Sequence, residues 1–478
     1  MLLNKMFKGA PEIEIEQLSV DSRVPMKNCI FFCLDGIKYD GHDYIEEAVN
    51  NGAKVIVHSK PVDIKPKAVM IKVDDVHEVM RRTANIFYGN PNEGIDKYVI
   101  AGNYGRCSVA SFINYYLNLF SKCGYIGILG IRYDQFQLKS SFPTLNGLDN
   151  LKILNGMKNY GVKSVTLEAS ASSLNLHKLD TVVPDTFIYT CTDPESGEFQ
   201  SNDYYTNLRK YLYTLEDTTK VILNLDDVSF KQINDCIGAY VSYGMAQLAD
   251  YRIHDVRMNR NGIYYQIRYK GTDYSVSSSL QGLSSVYNLT AAIVALSEKG
   301  HEIDQVCKVF RDVPCVDGVM ERVDSEYDII VDCAYDIQSI EELCRYARFV
   351  ANKGKTIGVI GIDYSDGEKR IEKIVDIAEK YLDVIIFTEN ESLEGEPMKI
   401  LERTDRYAKS GRIVHCPKRS TAIENAVEIM NRKDVLVIVG KGNENFLSMA
   451  LGKQYYKGDK HYAQKFMNDR RKEENALI

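Results

Sequence analysis

The sequence predicts an α/β protein of about three domains. Three observations predict it: a length of 478 residues, short apolar runs that alternate with helical periodicity along most of the chain, and two breaks, at Pro91-Asn-Glu-Gly-Ile-Asp-Lys97 and near Ser325. The domain ranges that follow are 1–95, 96–324 and 325–478.

The first range alternates strand-like runs at 29–34, 54–58 and 68–73 with helical spacing at 44–51 and 77–88. After the first break, Tyr98-Val-Ile-Ala101 opens a second unit. Runs at 124–129, 164–168, 186–189 and 221–225, with turns and helices of 10–15 residues between them, suit a buried parallel sheet. Residues 250–276 instead alternate as an antiparallel ribbon around the turn Asn259-Arg-Asn-Gly262, and a long helix is expected over 286–299. The third range repeats the strand and helix rhythm, with strands at 327–331, 356–360, 384–387 and 435–439, and reads as an open Rossmann-like sheet. The charged tail after Gln464 reads as a solvated helix end.

Composition sets bounds on partners. Hydrophobic residues make up 45% and charged residues 26%, the usage of a globular chain that buries real cores. The net charge of −7 and pI near 5.8 give no footprint for nucleic acid or an anionic membrane. The N-terminus turns acidic before a signal-peptide core forms and no stretch reaches membrane-span length, so a cytoplasmic protein is expected, without membrane insertion. The 11 cysteines are scattered without a CxxC pair, and the eight histidines do not cluster; reduced buried thiols are expected and a zinc centre is not.

The segment Val99-Ile-Ala-Gly-Asn-Tyr-Gly-Arg-Cys-Ser108 stands at a strand-to-helix junction. A glycine-rich turn there points backbone N–H groups and a helix N-terminus at an anion. An active phosphate loop ends Gly-Lys-[Ser/Thr], whereas this one reads Gly105-Arg106-Cys107. Arginine keeps the charge in a bulkier, planar form, and a thiol does not replace a hydroxyl on a hard magnesium ion, which leaves Ser108 as the oxygen donor. Gly354-Lys355-Thr356 is a decoy, because Phe349 stands where the motif needs its first glycine and the triplet enters a strand.

Several segments, in order, resemble the Mur ligase family, in its UDP-N-acetylmuramoyl-tripeptide synthetase branch. They are Asp21-Ser-Arg23, Asn28-Cys-Ile-Phe-Phe-Cys-Leu-Asp-Gly36, Asp40-Gly-His-Asp-Tyr-Ile45, Asn103-Tyr-Gly-Arg-Cys-Ser108, Leu167-Glu-Ala-Ser170, Asn224-Leu-Asp-Asp227, Val286-Tyr-Asn288, Met320-Glu-Arg-Val-Asp324 and Gly440-Lys-Gly-Asn-Glu444. The resemblance implies a uridine-nucleotide domain, a central ATPase domain of P-loop type with a parallel sheet, and a C-terminal Rossmann-like domain. It implies a reaction in which ATP activates a peptide carboxylate as an acyl phosphate that an amino acid then attacks. On the matching positions it implies UDP-sugar contacts from Ser22, Arg23, Ser141, Ser170 and Lys178, and phosphate contacts from Gly102, Gly105, Arg106, Cys107 and Ser108. Further ATP contacts fall on Asn224, Asp226, Asn288 and Asp366, and amino-acid contacts on Asn390, Gly440 and Glu444. Glu168 and Ser108 are the implied magnesium ligands, and Glu168 and Arg209 the catalytic positions. The implied ligands are ATP and Mg²⁺ if the chain is active, with a UDP-N-acetylmuramoyl-peptide or related nucleotide sugar, and other cell-wall synthesis proteins as possible partners.

The chain departs from that pattern where the chemistry is densest. Arg106 replaces the phosphate-loop lysine, Arg209 the carbamylated lysine, Ser196 a metal histidine, with Glu195 or Glu198 still able to take a cation, and Val319 an ATP-contacting arginine. Glu389-Asn-Glu-Ser392 stands where the family reads diaminopimelate with Asp-Asn-Pro-Arg, and Ser172 replaces a substrate-site histidine. Two readings stay open: a degenerate ligase that acts as a binding or scaffold protein of peptidoglycan precursor metabolism, or an active ATP-dependent ligase with an altered site.

Overall fold

The computed structural model describes the chain except residues 36–38, 63–66, 139–144, 171–172, 175–177, 192–201, 335, 392–396, 450–451 and 477–478. Two compact units emerge, one from residues 1–190, 201–223 and 228–241, the other from 191–200, 224–227 and 242–478.

The first unit begins with a parallel sheet in the order β1 (Gln17–Ser19), β2 (Cys29–Phe32), β3 (Ala53–His58), β4 (Val69–Lys72). Strand β2 is buried at every position, as expected of an unbroken apolar run covered on both faces. The helix Val76–Phe87 starts where the Asp75 carboxylate accepts the Glu78 N–H at 3.0 Å, a side-chain cap on an orphan donor.

The same unit carries a second sheet with β5 (Asp96–Ala101) at its centre. Its order is β8 (Phe136–Leu138), β7 (Gly130–Tyr133), β6 (Cys123–Gly127), β9 (Ser164–Ala169), β5, β10 (Thr186–Tyr189), β11 (Lys220–Asn224). From β6 to β11 the pairing is parallel, as the sequence predicts. The run at 124–129 corrects the expected alternation, because no helix follows it. Strand β6 turns back into an antiparallel β7 and β8 instead, with Gly130 and Asp134 in left-handed backbone at the two reversals.

In the second unit, β12 (Val241–Gly244) pairs in parallel with β13 (Tyr251–Asn259) through Tyr243 and Gly244, and β13, β14 (Gly262–Tyr269) and β15 (Thr272–Ser278) form the expected antiparallel ribbon. The helix after it spans Gly282–Glu298, starting four residues before the predicted 286. A further sheet runs β16 (Glu321–Arg322), β17 (Asp328–Asp332), β21 (Val435–Val439), β18 (Thr356–Asp363), β19 (Val384–Glu391), β20 (Ile413–His415), parallel except for β16. Apolar clusters on both faces bury it, and Thr356 opens β18, so the Gly354 triplet does enter a strand.

The tail departs from the expected solvated end. Helix Asp459–Ala476 lays Ala463 and Met467 into the core, while Arg470 donates to the Val427 and Met430 carbonyls and Arg471 to Asp324. Two apolar residues four apart make one buried stripe in an otherwise charged segment, which composition alone averages away. Among the described residues no helix is long and apolar enough to cross a membrane, and none of the 11 cysteines is paired with another.

Candidate functional site

The glycine-rich loop leaves the carboxyl end of β5 and feeds the helix Arg106–Asn118. Gly102 has φ +127° and Gly105 φ +82°, and Gly105 caps the helix without any side-chain bond, so the first turn keeps its N–H groups turned toward the loop. The Thr190 hydroxyl at the end of β10 donates to the carbonyls of Ala101 (3.1 Å) and Tyr104 (2.7 Å), tying the loop to the neighbouring strand.

Arg106 folds back over this loop. Its Nη1 donates to the Gly102 carbonyl and to the Asn103 carbonyl at 2.7 Å, and its Nε lies 3.9 Å from Glu168 Oε2. Glu168, at the end of β9 and 2% exposed, accepts the Tyr125 hydroxyl and the Ile128 N–H (3.3 Å) on Oε1. Burial pushes its carboxyl above the ordinary carboxylate range, with the Arg106 charge and the Tyr125 hydrogen bond opposing. Cys107 Sγ lies 3.7 Å from the same hydroxyl, and burial holds that thiol well above its usual value. Ser108 is 4% exposed on the buried side of the helix.

This donor set does not fit a magnesium ion. Mg²⁺ demands near-octahedral oxygen ligands and usually retains several waters. Among the described residues the carboxylate at the loop, Glu168, is engaged on one oxygen by two donors and faced on the other by a guanidinium, the adjacent Cys107 is a thiol, and Ser108 is buried.

The other sequence-derived positions divide. Ser22 is buried and donates to Glu47 at 2.5 Å, whereas Arg23 reaches outward and pairs with Asp21. Ser170 is buried and accepts the Ser173 N–H at 3.2 Å, and burial lowers the Lys178 ammonium. Arg209 lies on the helix Asn202–Tyr213, in a two-armed pair with Asp235 and a bond to the Gln232 carbonyl (2.8 Å). In the second unit Asp226 caps the next turn, accepting the Met245 N–H, the Ala246 N–H (3.0 Å) and the Tyr287 hydroxyl (2.8 Å). Asn224 accepts the Asp226 N–H, and Asn288 is buried on the helix Gly282–Glu298. Asp366 accepts Arg370 Nε at 2.6 Å.

Asn390 and Gly440 do converge, at the carboxyl ends of β19 and β21, where open α/β sheets place their ligands. Asn390 donates to Asp363 at 3.2 Å, and a Cβ on Gly440 would stand 3.0 Å from Asn390 Oδ1. Glu444 pairs with the buried Lys441 at 2.9 Å. Tyr125, Thr190, Asp363 and Arg419 are site residues that sequence reasoning missed. None of them carried a signal: Arg419 opens the helix Arg419–Ile429 between Lys418 and Ser420, and only the fold brings its buried partner Asp459 to it. Ser141, Ser172, Ser196 and Ser392 lie outside the described residues.

Comparison with known proteins fits this architecture. The family model described as "Mur ligase family, catalytic domain" matches residues 14–88, "Mur ligase middle domain" matches 100–296, and "Mur ligase, glutamate ligase domain" matches 319–442. A UDP-N-acetylmuramoyl-L-alanyl-D-glutamate–2,6-diaminopimelate ligase of Aquifex aeolicus is 28% identical over 90% of this chain and 89% of its own. One from Clostridioides difficile is 28% identical over 94% of each. A solved structure of a ligase of that name superposes with a TM-score of 0.71 at 18% identity, covering 98% of this chain and 99% of its own. The ligase MurF of Thermotoga maritima, in complex with ADP, gives 0.62 at 15% identity, covering 95% and 97%. These likenesses place the chain in a three-domain α/β fold with a parallel-sheet central domain.

Proposed function

The chain belongs to the Mur ligase family, and we propose that it works in peptidoglycan precursor metabolism as a binding or scaffold protein with little or no amide-ligase activity. Its domains on this reading are a UDP-sugar-binding domain over 1–95, an ATPase-like domain over 96–324 and a ligase-like domain over 325–478. The ligand is a UDP-N-acetylmuramoyl-peptide or a related nucleotide sugar, held by Ser22, Arg23, Ser170 and Lys178, with Ser141 contributing.

One observation carries the proposal: Arg106 lies against Glu168 with its guanidinium bound to the loop's own carbonyls. Phosphoryl transfer needs cations placed on the moving group and a metal to gather the charge. Here the loop cation is tied to the loop, and the carboxylate that would hold the metal is engaged. The test is incubation of the purified protein with UDP-N-acetylmuramoyl-dipeptide, ATP, Mg²⁺ and a panel of amino acids. No amide product is expected, and amide formation with any of them overturns the proposal.

The retained loop backbone, with Gly102 and Gly105 in left-handed conformations, favours one second reading. On it the chain is an active ATP-dependent ligase that adds an amino acid to UDP-N-acetylmuramoyl-dipeptide or a related carboxylate through an acyl phosphate. Asn224, Asp226, Asn288 and Asp366 would then serve the nucleotide, and Asn390, Gly440 and Glu444 the amino acid. That reading requires both Arg106→Ala and Glu168→Ala to abolish turnover.

A further inference from the structure

The helix Gly282–Glu298 starts on a seat built by later residues of the same compact unit. Gly282 opens it at φ +80°, and the Gln281 side chain before it makes no capping bond. The cap comes instead from 58 residues further along: Glu342, on the helix Ile337–Ala351, accepts the Ser284 N–H on Oε1 at 2.5 Å. One turn beyond Glu342, the Tyr346 hydroxyl donates to Gln281 Oε1. Met320 closes the seat from another side, since a Cβ on Gly282 would stand 2.8 Å from Met320 Cε and 3.5 Å from Glu342 Oε1. The Met320 N–H in turn donates to Asp332 Oδ2 at 2.7 Å. The first turn of the helix therefore rests on two carboxylates, Glu342 directly and Asp332 through Met320.

The groups around these carboxylates do little to keep them ionised. Asp336, also buried, accepts the Ser339 N–H (2.8 Å) and hydroxyl (2.7 Å) and adds negative charge beside both. From the helix Gly282–Glu298, Glu342 is faced by the Tyr287 phenol, which donates to Asp226 at 2.8 Å. Arg345 supplies the opposing positive charge. Burial lifts the Asp332 carboxyl to about 7 against the Met320 and Ala334 N–H bonds, with Glu342 and Asp336 adding to the rise. Burial also raises Glu342, against the Ser284 bonds and the Arg345 charge. The packed seat thus favours the protonated carboxyls, and an opened, hydrated seat favours the ionised ones.

We infer that this seat is a proton-operated switch, which grips the start of the helix Gly282–Glu298 while Asp332 and Glu342 hold protons and loosens as they release them to solvent between acidic and neutral pH. Tyr287 lies on the first turns of that helix, so its bond to Asp226 loosens along with the seat.

Hydrogen exchange on the full chain tests the switch, read by mass spectrometry on peptides spanning residues 280–290, with each rate divided by the intrinsic rate at that pH. An opening that releases one proton becomes tenfold easier per pH unit below the closed-state titration. Protection should therefore fall by about tenfold or more from pH 5 to pH 7 and level off above about pH 7. Peptides from the helix Arg106–Asn118, in the other unit, should not share that slope. Asp332→Asn combined with Glu342→Gln keeps an acceptor oxygen at each position, removes the titration and should flatten the profile. A wild-type profile that is flat from pH 5 to pH 8 overturns the switch. The same slope in the peptides of 106–118 overturns it too, because it reports global unfolding, as does a slope that survives in the double variant. The wild-type profile decides even where the variant does not fold.

Discussion

Arg209 and Asp235 face each other arm to arm, Nη1 to Oδ1 at 2.8 Å and Nη2 to Oδ2 at 3.0 Å. Where the family resemblance implies a lysine carrying a negative carbamate, this chain holds a permanent cation already matched to its own carboxylate. Arginine's planar fork fits that partner in two bonds, which a lysine does not reproduce.

Asp235 is largely open to solvent and Arg209 is about one-third exposed, so the pair's weight in stability is small and sensitive to salt. Asp235→Asn should lower the melting temperature slightly at low ionic strength and leave it unchanged at high salt. A loss that persists at high salt, in parallel thermal melts, would contradict this.

Glu168 balances a guanidinium in a buried setting. Glu168→Gln keeps an oxygen for Tyr125 and Ile128 but leaves Arg106 uncompensated, and it should destabilise the fold by about 3 kcal/mol, at the low end for a broken buried pair. Urea unfolding measures it. A cost below about 1 kcal/mol would mean that the pair behaves as a surface pair.

Gly127, at the end of β6, has no room for a side chain: a Cβ there would stand 2.3 Å from Glu168 Oε1 and 2.5 Å from the Tyr125 hydroxyl. Gly127→Ala should cost about 1–3 kcal/mol through overpacking and displace the Glu168 carboxylate.

Arg419 and Asp459 are bonded twice, at 2.8 and 2.7 Å, with both side chains 0% exposed. The Tyr456 hydroxyl also donates to Asp459. Asp459→Asn should cost about 3–5 kcal/mol, because it strands a buried guanidinium. Differential scanning calorimetry would show the loss, and a melting temperature unchanged from wild type would refute it.

Asp332, fully buried at the end of β17, accepts the Met320 N–H at 2.7 Å, and burial lifts its carboxyl to about 7, with Glu342 and Asp336 adding to the rise. The unfolded carboxyl titrates near 3.9, so between about pH 4 and pH 7 the folded chain keeps a proton that the unfolded chain releases. Its contribution to stability is full below pH 4 and is lost as the pH rises through 7, by about 4 kcal/mol at most. Asp332→Asn keeps the acceptor and removes the titration. The difference in unfolding free energy between wild type and variant should therefore slope across that window, and a flat difference would contradict the assignment.

The fold was legible because its signals are local and repeated. Runs such as 186–189 and 435–439 became strands with those very bounds, since a buried parallel strand needs unbroken apolar sequence. Hairpin β7–β8 was hidden, because its reversals turn on the backbone of Gly130 and Asp134 rather than on an apolar pattern. The docking of the tail was hidden as well, because Met467 is one buried residue in a charged helix.

The candidate site divides along the same line. Residue types along the chain, set against the family resemblance, determined which positions to ask about chemistry, and that Arg106, Cys107 and Arg209 stand there in place of a lysine, a hydroxyl and a second lysine. Only the tertiary structure decided what those residues do instead. Arg106 turns onto Gly102, Asn103 and Glu168, and Tyr125 reaches Glu168 from a strand 43 residues earlier in the chain. Arg209 finds Asp235 26 residues away. The partner of a charge is set by distance in space, and distance in space is fixed by how the strands pack, which no window along the sequence contains.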